Sequence, residues 1–113
     1  MHEYALVQSL VERVESEARA RDASAVHRLQ VRIGELSGVD VELFRTAYLT
    51  FRERTICEHA DLDVETVPVQ WACERCAHPV EVGRALRCPI CSCPARLVAG
   101  DEIILERIEM EVG

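Results

Sequence analysis

Apolar and polar residues alternate along this chain with two different periods, and the changes of period mark its elements. Between residues 4 and 21, Val7, Leu10, Val11, Val14 and Ala18 recur at helical spacing, which predicts an amphipathic helix. Glu15 with Arg19 and Glu17 with Arg21 add i,i+4 ion pairs of the favourable order. From 26 to 33 the period falls to two. Leu29, Val31 and Ile33 share one face and Arg28, Gln30 and Arg32 the other, which predicts a half-buried strand. Gly34-Glu35-Leu36-Ser37-Gly38 interrupts it, because glycine supplies turn conformations. Asp40 is placed to cap a second helix over about 41–54, with Leu43, Phe44, Ala47, Tyr48 and Phe51 as its buried stripe.

Two more strands are expected. One covers 61–69 with Leu62, Val64, Val67 and Val69; the other covers 102–112 with Ile104, Ile108, Met110 and Val112 on one parity. The order is helix, strand, helix, strand, cysteine-rich segment, strand. The last strand is expected to return to the sheet beside its predecessors. The expected fold is therefore α+β: two helices on a small three-stranded sheet, with an inserted four-cysteine module resembling a zinc ribbon. Residues 1–69 with 99–113 form the α/β body in this reading, and residues 70–98 the insertion.

Composition narrows the function. The chain has 113 residues, enough for one domain or a domain with a small metal-stapled module. Only five residues are aromatic (Tyr4, Phe44, Tyr48, Phe51 and Trp71), so aliphatic side chains must supply most of the core. The net charge is −7, and all thirteen basic residues are arginine. So acidic a chain is poorly suited to nucleic acid or to a membrane surface. No apolar run approaches the roughly 18 residues that span a bilayer, and the first residues do not read as a signal peptide. A cytoplasmic protein is expected, with neither nucleic acid nor membrane as a partner.

Six cysteines could build a disulfide scaffold, but in the cytosol Cys-x-x-Cys pairs point to metal. Cys73-Glu74-Arg75-Cys76 is followed eleven residues later by Cys88-Pro89-Ile90-Cys91. Four thiolates close a tetrahedron around zinc and leave no open position, which makes the site structural. Its binding energy is folding energy, on the order of 10 kcal/mol or more. Iron is the competing occupant. Cys93 and His78 each lie two residues beyond a ligand and are read as bystanders, Cys57 as a small buried hydrophobe, and His27 and His59 as ordinary residues.

Met1-His2-Glu3 offers a different chemistry. The Met1 amine, the His2 amide and imidazole nitrogens and the Glu3 amide can form fused chelate rings in a square plane. Nickel and copper favour that field; zinc does not require it. Protons must leave for metal to bind, so affinity should fall as pH drops. No Ser/His/Asp set and no phosphate-cradling loop is present, so an enzyme is not expected. The residues alone leave open a zinc-ribbon module that binds protein or nucleic acid without a nickel role, and an iron electron carrier.

Met1-His2-Glu3, the amphipathic helix, Val31-Arg32-Ile33-Gly34-Glu35-Leu36-Ser37-Gly38-Val39 and the two Cys-x-x-Cys pairs together resemble the HypA/HybF family of nickel metallochaperones, nearly end to end. The resemblance implies delivery of Ni(II) during maturation of [NiFe]-hydrogenase, and of urease in some organisms. It implies a HypB-like GTPase and the hydrogenase large subunit as partners, and a monomer or weak homodimer. It places nickel at Met1, His2 and Glu3, where the Glu3 side chain tunes the site or touches a partner. It places structural zinc at Cys73, Cys76, Cys88 and Cys91. Cys93 departs from the expected pattern.

Overall fold

The computed structural model describes residues 2–81 and 86–112. The elements in chain order are α1 (Glu3–Ala20), β1 (Ala23–Gly34), α2 (Val41–Phe51), β2 (Asp61–Val67), β3 (Gln70–Cys73), β4 (Pro79–Val80), β5 (Ala95–Ala99) and β6 (Ile103–Val112). They form two sheets of three strands, ordered β2-β1-β6 and β4-β3-β5. The helices, strands and insertion follow the pattern of apolar positions. The sequence reading did not resolve the insertion into a sheet of its own.

β1 is the centre of the first sheet. It runs parallel to β2, with Val31 opposite Val64, and antiparallel to β6, with Leu29 opposite Ile108. Both helices cover one face of this sheet. Val7, Val11, Val14 and Ala18 of α1 meet Phe44, Ala47 and Tyr48 of α2 over Leu29, Val31 and Ile33. The Tyr48 hydroxyl donates to the Ala60 carbonyl at 2.8 Å, which satisfies it inside the core. On the other face Arg28 pairs with Asp63 and Glu109, and Arg32 with Glu65 and Glu106. That face is polar because no helix covers it. Of the two ion pairs expected on α1, Glu17 with Arg21 forms.

Three residues expected inside are exposed. Ile104 is 43% and Val112 57% exposed, whereas Ile103, Leu105, Ile108 and Met110 pack against the core. For Ile104 the cause is a β-bulge: Gln30 faces Arg107 but Val31 faces Leu105, so Glu106 is the extra residue; Val112 lies beyond the bulge and is exposed where β6 ends. One extra residue inverts the parity of everything before it. A second irregularity, between Val26 and Arg28, turns Val26 inward although it shares parity with Arg28. Leu43 is 40% exposed because the Asp40 cap starts α2 so that Phe44, Ala47 and Tyr48 face the sheet.

The second sheet leaves the first through residues 68–69 and returns through 100–102. Both crossings are clamped at the end of β1. The Glu35 N–H donates to the Val67 carbonyl at 2.9 Å, and the Leu36 and Gly34 N–H groups donate to Gly100 and Glu102. A Cβ on Gly34 would lie 2.3 Å from the Gly100 carbonyl carbon. Gly100 itself has φ +102° and would meet the Val69 Cα at 2.8 Å, so only glycine fits at both positions. The radius of gyration is 17.9 Å, against about 13 Å for a compact chain of this length. The molecule is elongated, with extents of 54 × 29 × 17 Å, because the second sheet lies outside the single hydrophobic core.

Candidate metal centres

The cysteine pairs sit on two copies of one turn. Cys73 ends β3, and its sulfur accepts the N–H groups of Arg75 and Cys76, each at 3.4 Å. The Cys88 sulfur accepts the Ile90 N–H at 3.4 Å. Each turn closes with a residue in the left-handed region after its second cysteine, Ala77 at φ 62° and Ser92 at φ 60°. The N–H of each first cysteine then donates two residues past the second, Cys73 to the His78 carbonyl and Cys88 to the Cys93 carbonyl. The equivalence accounts for His78 and Cys93: both serve the turns through their backbone.

The Cys73, Cys76, Cys88 and Cys91 sulfurs all lie within 4.8 Å of one another. Individual separations are 3.3 Å for Cys73–Cys91, 3.6 Å for Cys76–Cys88 and 3.9 Å for Cys76–Cys91. A tetrahedron with metal–sulfur bonds of about 2.3 Å has edges of about 3.8 Å, so the donor set fits a tetrahedral metal. Cys73 and Cys88 are buried, while Cys76 and Cys91 reach the surface. The N–H groups aimed at sulfur favour thiolate. The Cys76 N–H leads in drawing the Cys73 thiol down to about 6, and the Cys91 N–H leads in lowering Cys88. Cys57 lies elsewhere, fully buried in the hydrophobic core.

At the start of α1 His2 is the N-cap, yet its side chain makes no capping bond and is exposed. Its carbonyl accepts the Leu6 N–H at 3.1 Å, which fixes the first turn. Met1, expected to supply the amine ligand, lies outside the described residues. Glu3 points inward and is only 5% exposed. Its Oε2 accepts the Asp40 N–H at 2.8 Å. That bond leads in holding the Glu3 carboxyl below the usual carboxylate range. Asp40 in turn caps α2 by accepting the Leu43 N–H at 3.1 Å. The sequence marks Asp40 as a helix cap; it gives no sign of the bond to a residue 37 positions away.

The family model described as hydrogenase/urease nickel incorporation, metallochaperone, hypA matches residues 1–110. A hydrogenase maturation factor HypA of Shewanella baltica is 35% identical, covering 98% of this chain and 97% of that protein. The one from Aquifex aeolicus is 36% identical, covering 99% of both. The solution structure of the nickel metallochaperone HypA from Helicobacter pylori superposes over the full length of both chains, with 33% identity and a TM-score of 0.74. A second HypA solution structure gives a TM-score of 0.80 at 34% identity, covering 97% of this chain and 96% of that one. Fold, cysteine cluster and likenesses together define a metallochaperone, a carrier and not an enzyme. The chain belongs to the HypA family of hydrogenase and urease nickel incorporation proteins.

Proposed function

We propose that this chain carries Ni(II) on Met1, His2 and Glu3 and passes it to the large subunit of a [NiFe]-hydrogenase with the help of a HypB-like GTPase. The observation that carries the reading is the pairing at the start of α1: an exposed imidazole that caps nothing, next to a buried carboxylate that pins the backbone. A carrier needs that combination. The metal must be reachable, and its ligands must be held in one arrangement. Glu3 therefore acts by positioning, and its amide, not its carboxylate, faces the metal.

Helix position also bears on the choice of ligands. The amides of the first turn have no intrahelical acceptor, so ionising the Glu3 nitrogen breaks no helix hydrogen bond. The positive end of a helix repels a bare divalent cation. Ionising the His2 and Glu3 amides supplies two negative charges that cancel those of the metal. That favours the planar nitrogen field over a site built from neutral ligands.

Cys73, Cys76, Cys88 and Cys91 would hold zinc. Bound there it supplies no open coordination position; it closes the chain between β3 and β5. Residues 1–69 with 99–113 form the nickel-carrying body, and residues 70–98 the zinc-stapled unit. Six unpaired thiols suit the reducing cytoplasm.

The test is metal analysis with nickel titration on untagged protein, beside His2→Ala. About one tightly held zinc per chain is expected, with nickel binding lost in His2→Ala. Nickel binding unchanged in that variant refutes the N-terminal assignment.

A further inference from the structure

β6 is an outer strand of the first sheet. β1 holds one side of it, and among the described residues no strand pairs with the other. Such an edge presents backbone N–H and C=O groups without ladder partners. A cleft of about 260 Å³ opens between α1 and β6. Arg13, Glu17 and Arg21, four residues apart along one flank of the helix, form one wall. The other wall is β6 itself. Ile108 and Met110, which pack against the core, line it together with Glu106 and Arg107. Arg107 stands opposite Gln30, on the face that no helix covers. Residues from both faces of β6 thus line the cleft and none of β1 does, which places it at the free side of the strand.

Charge at this cleft is unbalanced. Its two carboxylates are taken: Glu17 pairs with Arg21, and Glu106 lies 3.6 Å from Arg32. Arg13 and Arg107 are exposed and enter no ion pair or side-chain hydrogen bond among the described residues. The edge therefore carries an excess of positive charge in a chain whose net charge is −7. The two free guanidiniums flank the strand, Arg13 from the helix and Arg107 from the helix-free face. A strand added here sends alternate side chains to the two faces, so carboxylates on it can reach both. The other outer strand, β2, carries Asp61, Asp63 and Glu65 and no basic residue, and repels the same ligand.

We propose that the free side of β6 takes an extended acidic segment of a partner protein as a further strand of the first sheet. Backbone hydrogen bonds hold it, Ile108 and Met110 seat its side chains on the helix side, and Arg13 and Arg107 select glutamate or aspartate. The inference is independent of the metal assignments.

The test titrates the full chain into a fluorescein-labelled peptide of alternating glutamate and threonine, as long as β6, and follows anisotropy. The parent should bind it, more weakly as salt rises. Arg13→Glu and Arg107→Glu should each weaken binding by about tenfold or more. Arg96→Glu, the same charge change at an exposed position of β5, should bind like the parent. The peptide with proline for threonine keeps its charge but cannot pair as a strand, and should not bind. On the parent, the peptide should slow hydrogen exchange in β6 by about tenfold or more and leave β2 unchanged, a measurement that needs no variant. No binding by the parent, equal binding of the proline peptide, protection of β2 in place of β6, or parent affinity in Arg107→Glu overturns the proposal. Sedimentation of the parent as a dimer and of Arg107→Glu as a monomer also overturns it, because the edge would then belong to a second copy of this chain.

Discussion

Glu3 and Asp40 are joined across 37 residues by a single hydrogen bond of 2.8 Å from the Asp40 N–H to the Glu3 carboxylate. It ties the first turn of α1 to the cap of α2, so the stem that presents His2 is braced by the second helix. Replacing Glu3 by Ala should leave the fold intact but release the Asp40 amide. Its hydrogen exchange should quicken by about tenfold or more, and nickel affinity should fall although no proposed ligand atom is lost. Asp40 exchange at the parent rate would show that the bond is not formed in solution.

The same bond predicts a pH dependence. Because the folded Glu3 pKa lies below the ordinary value of 4.5, its contribution is present above that value. It is lost as pH falls through the lowered one. Thermal melts from pH 6 down to 3 should show the parent losing stability more steeply than Glu3→Gln. Parallel curves would sink the idea.

At the alkaline end Cys57 takes over. Burial pushes its thiol up to about 11 from 9.0, and burial also raises Tyr48. The unfolded chain therefore releases these protons first, and stability should decline from about pH 9 to 11. Cys57→Ala should flatten the first part of that decline. Alkylation of Cys57 in the native protein should be slow enough to report unfolding; rapid modification at pH 8 would contradict its burial.

The two sheets should respond to different insults. Chelation, or Cys76→Ser, should dissolve the β4-β3-β5 sheet and shift the emission of Trp71, which lies opposite Val80 and Leu97. The β2-β1-β6 sheet should persist by circular dichroism. Phe44→Ala should do the reverse, costing the hydrophobic core about 3–5 kcal/mol without releasing metal. Loss of both sheets after chelation alone would mean that they fold as one unit.

Gly100 is the position where backbone conformation is most tightly dictated. Gly100→Ala combines a φ of +102° with a 2.8 Å approach to the Val69 Cα, and should cost about 1–3 kcal/mol. A denaturation midpoint equal to that of the parent would show that the crossing is looser than the contacts indicate.

Much of this could be read before any coordinates. The helical spacing of Val7, Val11, Val14 and Ala18 found the face that α1 buries, and the twofold alternation from Leu29 to Ile33 found the central strand. The repeated cysteine spacing found the four sulfurs that converge. Ile104 was misplaced because a strict alternation cannot see a bulge, which inserts a residue with no sequence mark of its own. The inward turn of Glu3 was hidden for another reason. A carboxylate next to a helix start reads as solvated unless its distant donor is known, and contacts of that range are set by the tertiary fold.

The crossings at the end of β1 have a consequence for the history of such a chain. Val67 and Ile103 flank that strand end on opposite sides, opposite Gly34 and Ile33. Strands in a sheet are about 4.8 Å apart, so the points where the insertion leaves and returns are only about 10 Å from each other. A segment whose two ends nearly touch behaves as a cartridge. It can be lengthened, traded for another or cut out and bridged by a few residues without disturbing the register of the sheet that receives it. The helix-covered sheet and the cysteine-rich unit are thus free to diversify at separate rates within one short polypeptide.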